Sequence, residues 1–371
     1  MYYPLHDLLY ASPSFIKIPS KKEEKWRFSS LSHYLDKEYI KTSNTSQAPI
    51  YKEEKNTIEI HDGQVISSEL PSYVHVKEHH IECSIQDNPF AKLASTSSSS
   101  PIELNIFEDV QLELYLSYSN DSFILSNFNI IVQEGINVCM HVYFQGGEKS
   151  FISHATHIKL ENSSKLELIQ IQDLSSQAVL ISQECLHLHE NSFMKNFSLL
   201  YQGEYLHNFI KADLHYKSDL DTRSLLLSSN NNKFIFSCDI KHLASESKSN
   251  VLSKQVLKDK STSVFDANTT IFKQTQRTQA KQGSHALLLS ESAQVHAKPH
   301  LEIYCDDLSA SHGTTVGELN KEAISYLRSR GISEEKARAM LISAFIKETL
   351  EGISLEASKQ KVLKILGDAY V

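Results

Sequence analysis

The polar corners Glu161-Asn162-Ser163-Ser164 and Glu190-Asn191-Ser192 stand 29 residues apart, and Glu134-Gly135 precedes the first by 27. Both Glu-Asn-Ser corners follow alternating segments, His157–Leu160 and Cys185–His189. From about Ile102 to Tyr304 the chain is a succession of short apolar runs, among them Val138–Phe144, Leu166–Ile171 and Ala286–Leu289. Strands that turn on small polar residues at this interval predict a solenoid of β-coils, in which each coil buries its inward side chains against the next. A β-sandwich is the competing architecture. It would turn every ~8–12 residues on hairpins, yet Asp62-Gly63 is the single Asn-Gly or Asp-Gly pair and lies outside this zone.

Three zones follow. Residues 1–70 are charged and rich in tyrosine and predict a helical N-terminal region. Residues 71–315 predict the β-helix core, with a serine-threonine tract at Ser95–Ser100 that reads as a mobile surface loop. Residues 316–371 turn helical. Leu319, Ile324 and Tyr326-Leu327 lead to a glycine stop at Gly331. Ser333 then reads as an N-cap ahead of Glu334-Glu335 and an amphipathic helix through Glu348. A third helix is predicted from Leu355 to Leu366.

Composition excludes several classes. Thirty-seven basic against 45 acidic residues give a net charge of −8, which argues against an electrostatic grip on nucleic-acid phosphates and leaves room only for a local basic patch. Only 11 glycines occur, and no G-x-x-x-x-G-K-[ST] or G-x-G-x-x-G motif is present, so nucleotide binding on a glycine loop is not encoded. Five cysteines (Cys83, Cys139, Cys185, Cys238, Cys305) are too widely spaced for a metal knuckle and too odd in number for a closed disulfide framework. No run of 18 apolar residues exists and no secretory pattern opens the chain, so a soluble, cytoplasmic protein is expected.

The densest chemical cluster is Lys298–Gly317, which places Cys305, Asp306, Asp307 and His312 within eight residues at the β-to-helix junction. Thiolate, imidazole and carboxylate hold soft transition metals and iron–sulfur species. Equally, Cys305 serves as a small buried hydrophobe, Asp306-Asp307 as a turn cap and His312 as a corner residue. Cys238, Asp239 and His242 read as coil-corner residues, His79 and His80 as solvated, and Trp26 as an anchor for the N-terminal segment.

The stretch from Lys298 to Gly317 closely resembles the SufB/SufD family of iron–sulfur cluster assembly scaffolds. The family motif reads approximately K-P-x-L-E-I-Y-a-D-D-V-x-C-S-H-G-A-T-V-G, followed by a helix like Ile324–Ile332 here. Glu23-Glu24-Lys25-Trp26-Arg27-Phe28 is similar to the family's E-E-W-R-Y signature, and Gln276–Ala280 through Leu287–Ser290 resembles its A-Q-K-T-D-A…N-L-L-L stretch. Without a cysteine-rich N-terminal portion, the chain looks like the SufD branch. The resemblance implies a right-handed parallel β-helix flanked by N- and C-terminal helical segments, and a non-catalytic subunit paired with SufB. It also implies that the C-terminal helices bind the ATPase SufC, with Tyr326, Leu327, Arg330 and Phe345 as candidate contacts. His312 maps onto the family's interface histidine, a candidate metal ligand shared with SufB. No cofactor is expected on the isolated chain. A transient iron–sulfur cluster is expected in the complex, and a homodimer when the chain stands alone. The sequence departs from the family pattern at Ala310, where a cysteine often stands, at Cys305, usually alanine, and at Asp266, usually glycine. Two rival readings are a polysaccharide lyase or hydrolase on a β-helix of the secreted type, and a SufB-like homodimer that ligates its own cluster.

Overall fold

The computed structural model describes residues 101–354 and 356–370 without a break. Before residue 101 it describes 2–10, 22–23, 26, 31–34, 37–41, 56–66, 72, 74–76 and 89–97. His79, His80 and the remainder of the Glu23–Phe28 signature other than Glu23 and Trp26 lie outside the described residues.

The N-terminal part holds β1 (Tyr2–Pro4), α1 (Leu5–Tyr10), β2 (Glu38–Lys41), β3 (Thr57–His61), β4 (Gln64–Val65), β5 (Val74–Val76) and α2 (Pro89–Ser97). Residues 1–70 are therefore mixed rather than helical where they are described. The strands β6 (Ile102–Ile106), β7 (Val110–Tyr118), β8 (Ser122–Val132), β9 (Asn137–Gly146) and β10 (Phe151–Leu160) open the solenoid. It continues through β11 (Lys165–Leu174), β12 (Val179–Leu188), β13 (Phe193–Gln202), β14 (Tyr205–Leu214), β15 (Asp219–Ser228) and β16 (Lys233–His242). Its last strands are β17 (Lys248–Leu257), β18 (Thr262–Ile271), β19 (Thr278–Leu288), β20 (Gln294–Ile303) and β21 (Leu308–Glu318). Three helices close the chain: α3 (Lys321–Ser329), α4 (Glu334–Leu350) and α5 (Glu356–Tyr370).

From β7 on, even-numbered strands form one parallel sheet and odd-numbered strands the other, each pairing with the strand two places along. This is the predicted parallel β-solenoid, with about 8 turns. Register gives the coil length. Lys165 pairs with Phe193, Phe193 with Asp219, and Asp219 with Lys248.

The corners explain how a glycine-poor chain turns so often. Gly135, Ser163, Asn191, Lys217, Glu246 and Arg277 occupy the same corner of successive coils, all with positive φ. An L-residue there costs roughly 1–2 kcal/mol. Each one's N–H donates to a carbonyl of the next coil, as Ser163 to Glu190 O (2.8 Å), Asn191 to Tyr216 O (3.0 Å) and Arg277 to Asp307 O (2.7 Å). The following serine closes the turn on itself: Ser164 donates to Glu161 O (2.7 Å), and Ser192 to His189 O (2.7 Å). Of the residues read as coil-corner residues, Cys238 and Asp239 lie within β16 rather than at a corner. His242 ends the strand and is buried, with its two ring nitrogens 2.7 and 2.8 Å from the hydroxyls of Ser247 and Ser249.

Inward side chains such as Leu166, Leu168, Leu180, Leu186, Leu206 and Phe234 build one continuous core along the solenoid. A second apolar cluster lies on the outer face of the odd-strand sheet. There Ile169, Ile171, Leu199, Leu225 and Val256 meet Ile324, Ile342, Ile346, Leu350 and Val362 of the terminal helices. The third covers the even-strand sheet, where Trp26 packs against Phe90 and His207 at 5.9 and 5.6 Å between ring centroids, the anchor its sequence context predicted.

The Ser95–Ser100 tract is not a loop at its start. Ser95 is buried in α2, and Ser95 and Thr96 both donate to Lys92 O at 3.0 and 2.8 Å. Folding the hydroxyls back onto the preceding turn lets a serine-threonine run stay helical when the helix packs on a sheet. Residues 98–100 lie outside the described set.

Candidate functional site at the open end of the solenoid

The Lys298–Gly317 motif is the last coil. In their sheets β20 pairs with β18 and β21 with β19, and no further strand among the described residues follows either. Both therefore end the solenoid as open edges. Pro299 sits mid-strand in β20, opposite Ala267. A proline removes a ladder donor, so it is tolerated there because the strand is an edge.

Orientation follows from the two-residue alternation of strands. In β19 the Gln282 side chain points into the lumen, where its Nε2 donates to Thr269 Oγ1 of the opposite sheet (2.7 Å). His312 is in register with Gln282 one coil further on. Its imidazole therefore faces the mouth of the lumen, and it is exposed because no coil covers it. Thr314 and Val316 share that face with it. Val316 is 55% exposed and Ile303, across the mouth, 44%. Tyr304 is exposed at the adjoining corner.

The other members of the motif do not converge on His312. Asp306 and Asp307 lie in the bend between β20 and β21, where Asp307 O accepts from Arg277 N. Cys305 turns back, its thiol donating to the Thr275 carbonyl. Among the described residues no three histidine, cysteine or carboxylate side chains are set to hold a metal ion.

The candidate contacts on the helices divide. Tyr326 and Arg330 lie exposed together on α3 and its cap, the guanidinium 5.4 Å from the ring centroid. Leu327 and Phe345 are half-buried against the sheet, and Lys254 Nζ lies 4.8 Å from the Phe345 ring centroid. The Ser333 cap and the Gly331 stop are those the sequence predicted, and the structure adds an N-cap at Asn320. Asn320 and Ser333 accept from Ala323 N (3.0 Å) and Lys336 N (3.3 Å), and Gly331 has φ 84°.

Sequence reasoning missed what clamps the helices to the solenoid. Arg223 is held by Asp221 at 2.9–3.1 Å and donates to Glu348 O at the end of α4 (2.6 Å), while Lys254 pairs with Glu348 (3.0 Å). On α5, Ser358 Oγ lies 3.2 Å from His141 Nδ1, and Lys361 stands 3.5 Å from the Tyr143 ring centroid. Cys139 is 3.5 Å from His141 Nε2. Burial and then Glu167 push its thiol up to about 11, so this pair stays a neutral thiol beside an imidazole rather than a nucleophile.

The family model for the SUF system FeS cluster assembly SufBD core domain matches residues 115–345, more than half of the chain. The chain belongs to the SufBD family. The iron-sulfur cluster assembly protein SufD of Escherichia coli is 23% identical over 94% of this chain and 89% of its own length. SufD of Bacillus subtilis is 30% identical over 39% of this chain and 33% of its own. A SufBD family protein of Synechocystis is 37% identical over 29% of this chain and 23% of its own. The match to SufD over nearly the full length makes this a SufD-type protein of SUF iron–sulfur cluster assembly, and the SufBD core model ends within α4, beyond the open coil.

Proposed function

We propose that this chain is a scaffold without catalytic activity of its own, which pairs with SufB through its open last coil and carries SufC on its C-terminal helices. The observation that supports this is the pair of free edges, β20 and β21, with His312 aimed from the mouth between them. Unpaired strand edges recruit another strand. Apolar Ile303, Tyr304 and Val316 on the same end gain from being covered. SufB supplies the second edge, in the cytoplasm, and the seam between the two solenoids is where the nascent cluster is built as cargo.

His312 takes part as a ligand or proton carrier. A neutral imidazole nitrogen is a ligand for iron and an acceptor for a proton. ATP binding and hydrolysis belong to SufC, since this chain has no phosphate loop. Force applied to α3 and α4 passes to the outer sheet through the Arg223 and Lys254 contacts with Glu348, and shifts the last coils at the seam.

The test is His312→Ala in cells lacking the native protein, scored by maturation of iron–sulfur enzymes and by co-purification of SufB and SufC. Lost maturation with both partners retained is the expected result. Normal maturation would remove His312 from the mechanism.

A further inference from the structure

The closing helices are not anchored alike. α4 buries Ala337, Ile342, Ile346, Thr349 and Leu350. Among the described side chains of α5 only Ser358 and Val362 are buried, with Leu363 and Ile365 half-buried beside them. The rest of its grip on the solenoid is polar. Lys361 Nζ stands 3.5 Å from the Tyr143 ring centroid, a cation on an aromatic face. Ser358 Oγ lies 3.2 and 3.3 Å from the two ring nitrogens of His141.

His141 is on the outer face of β9, and beneath α5 it is 1% exposed. Leucine or valine at this position would hold the helix at any pH. An imidazole makes the contact depend on its charge.

Every element packed on this ring brings ionisable groups. β7 contributes Glu113, whose Oε1 is 3.8 Å from Nδ1. β9 contributes Cys139, 3.5 Å from Nε2, and Tyr143, 6.4 Å between ring centroids. β11 contributes Glu167, and α5 contributes Lys361. Burial keeps Cys139 and Tyr143 neutral, with values of about 11 and about 12. Burial also holds the imidazole below its ordinary value and Lys361 adds to this, while Glu113 and Glu167 pull the other way. A groove lined in part by Cys139, Glu167 and Ser354 gives solvent access to the Cys139 side of the ring.

We propose that α5 is a latch released by mild acid: a proton taken up by His141 undocks the helix from the odd-strand sheet. One proton enters from solvent with each release, and no bond other than N–H forms. The neutral ring accepts the Ser358 hydroxyl at one nitrogen. The imidazolium has no free acceptor, and under α5 it is held from water with the Lys361 ammonium nearby. Lifting α5 hydrates the ring and takes the ammonium away. The docked imidazole gives up its proton more readily than a free one. Docking is therefore complete above the ordinary value of 6.5 and is lost as pH falls below it. α4, clamped by Arg223 and Lys254 at Glu348, stays in place.

Amide hydrogen exchange of the full chain at about pH 7.5 and about pH 5.5, corrected for the intrinsic rate, reads the latch. Protection of α5 should fall severalfold at the lower pH, with β9–β13 unchanged. His141→Gln, which cannot take up the proton, should hold α5 equally at both. Lys361→Gln should shrink the drop and Lys361→Arg should keep it. An α5 contact that was merely structural would lose protection at both pH values alike. Native protection that does not change with pH, or a native drop in His141→Gln, would overturn the latch. If His141→Gln leaves α5 unprotected throughout, the Lys361 pair decides. A native drop in Lys361→Gln then overturns the latch, and a smaller one upholds it.

Discussion

His312 stands one coil beyond Gln282 in the same inward column, so the last histidine of the family motif is the outermost side chain of the solenoid interior. That relationship makes the open end both a free strand edge and the end of the lumen.

If the mouth is the seam with SufB, charging it should block pairing without unfolding the chain. Ile303→Lys/Val316→Lys places two lysines where apolar side chains are covered on pairing. Each such side chain is worth about 1.5–3 kcal/mol when buried, so affinity for SufB should fall by about two orders of magnitude or more. Analytical ultracentrifugation of mixtures would show it, with unchanged circular dichroism. Undiminished pairing would place the seam elsewhere.

Arg223→Ala should loosen the helices and spare the solenoid. The change leaves Glu348 O and Asp221 without the guanidinium that joins them. A loss of about 1–3 kcal/mol is expected, confined to α4 and α5. Hydrogen exchange should rise there and stay constant in β9–β19. Gly352→Ala tests the same clamp from the other side, because a Cβ at 352 would come within 2.7 Å of Arg223 Cδ.

Glu184 should make stability depend on pH with a sign opposite to that of most acids. Burial inside the solenoid lifts its folded value to about 7, above the ordinary 4.5, so the native state holds the proton longer than the unfolded chain. Stability from this group is full below about pH 4.5 and declines as pH rises towards 7, by about 3 kcal/mol at most. Urea titrations of native and Glu184→Gln protein at pH 5 and pH 8 would isolate it. The native chain should lose stability relative to the variant on going to pH 8, and parallel behaviour would contradict the assigned environment.

Three buried histidines act the other way. Burial lowers His154 and His207 to about 3 and His242 to about 4. Stability that they support is present above the ordinary 6.5 and is lost as pH falls towards 4, because the unfolded chain takes up protons first. Thermal melts should therefore drop steeply between pH 6.5 and 4, and His242→Gln should flatten part of that slope. A melting temperature constant over this range would argue against buried neutral imidazoles.

Much of this was legible in the chain. The Glu-Asn-Ser corners carry the coil period because asparagine and serine tolerate the left-handed turn and close it with their own oxygens. Lys217, Glu246 and Arg277 hold the same position yet give no signal, since the conformation there is imposed by the carbonyl of the next coil. Ser95 and Thr96 misled for a related reason: their composition reads as loop, and the sheet beneath α2 decides otherwise.

The sequence by itself determined the stacked coils, the glycine stop at Gly331 and the helix cap at Ser333, and the motif that assigns the family, because each rests on contacts within a few residues or on a repeated interval. Only the tertiary structure decided that His312 faces the lumen mouth, that Cys305 turns away from it, and that Ser198, Ser224, Ser253 and Ser284 line one column. Those facts depend on which residue of one coil lies over which residue of the next. Coil lengths vary, so the register is settled by side chains packing between strands that are distant along the chain.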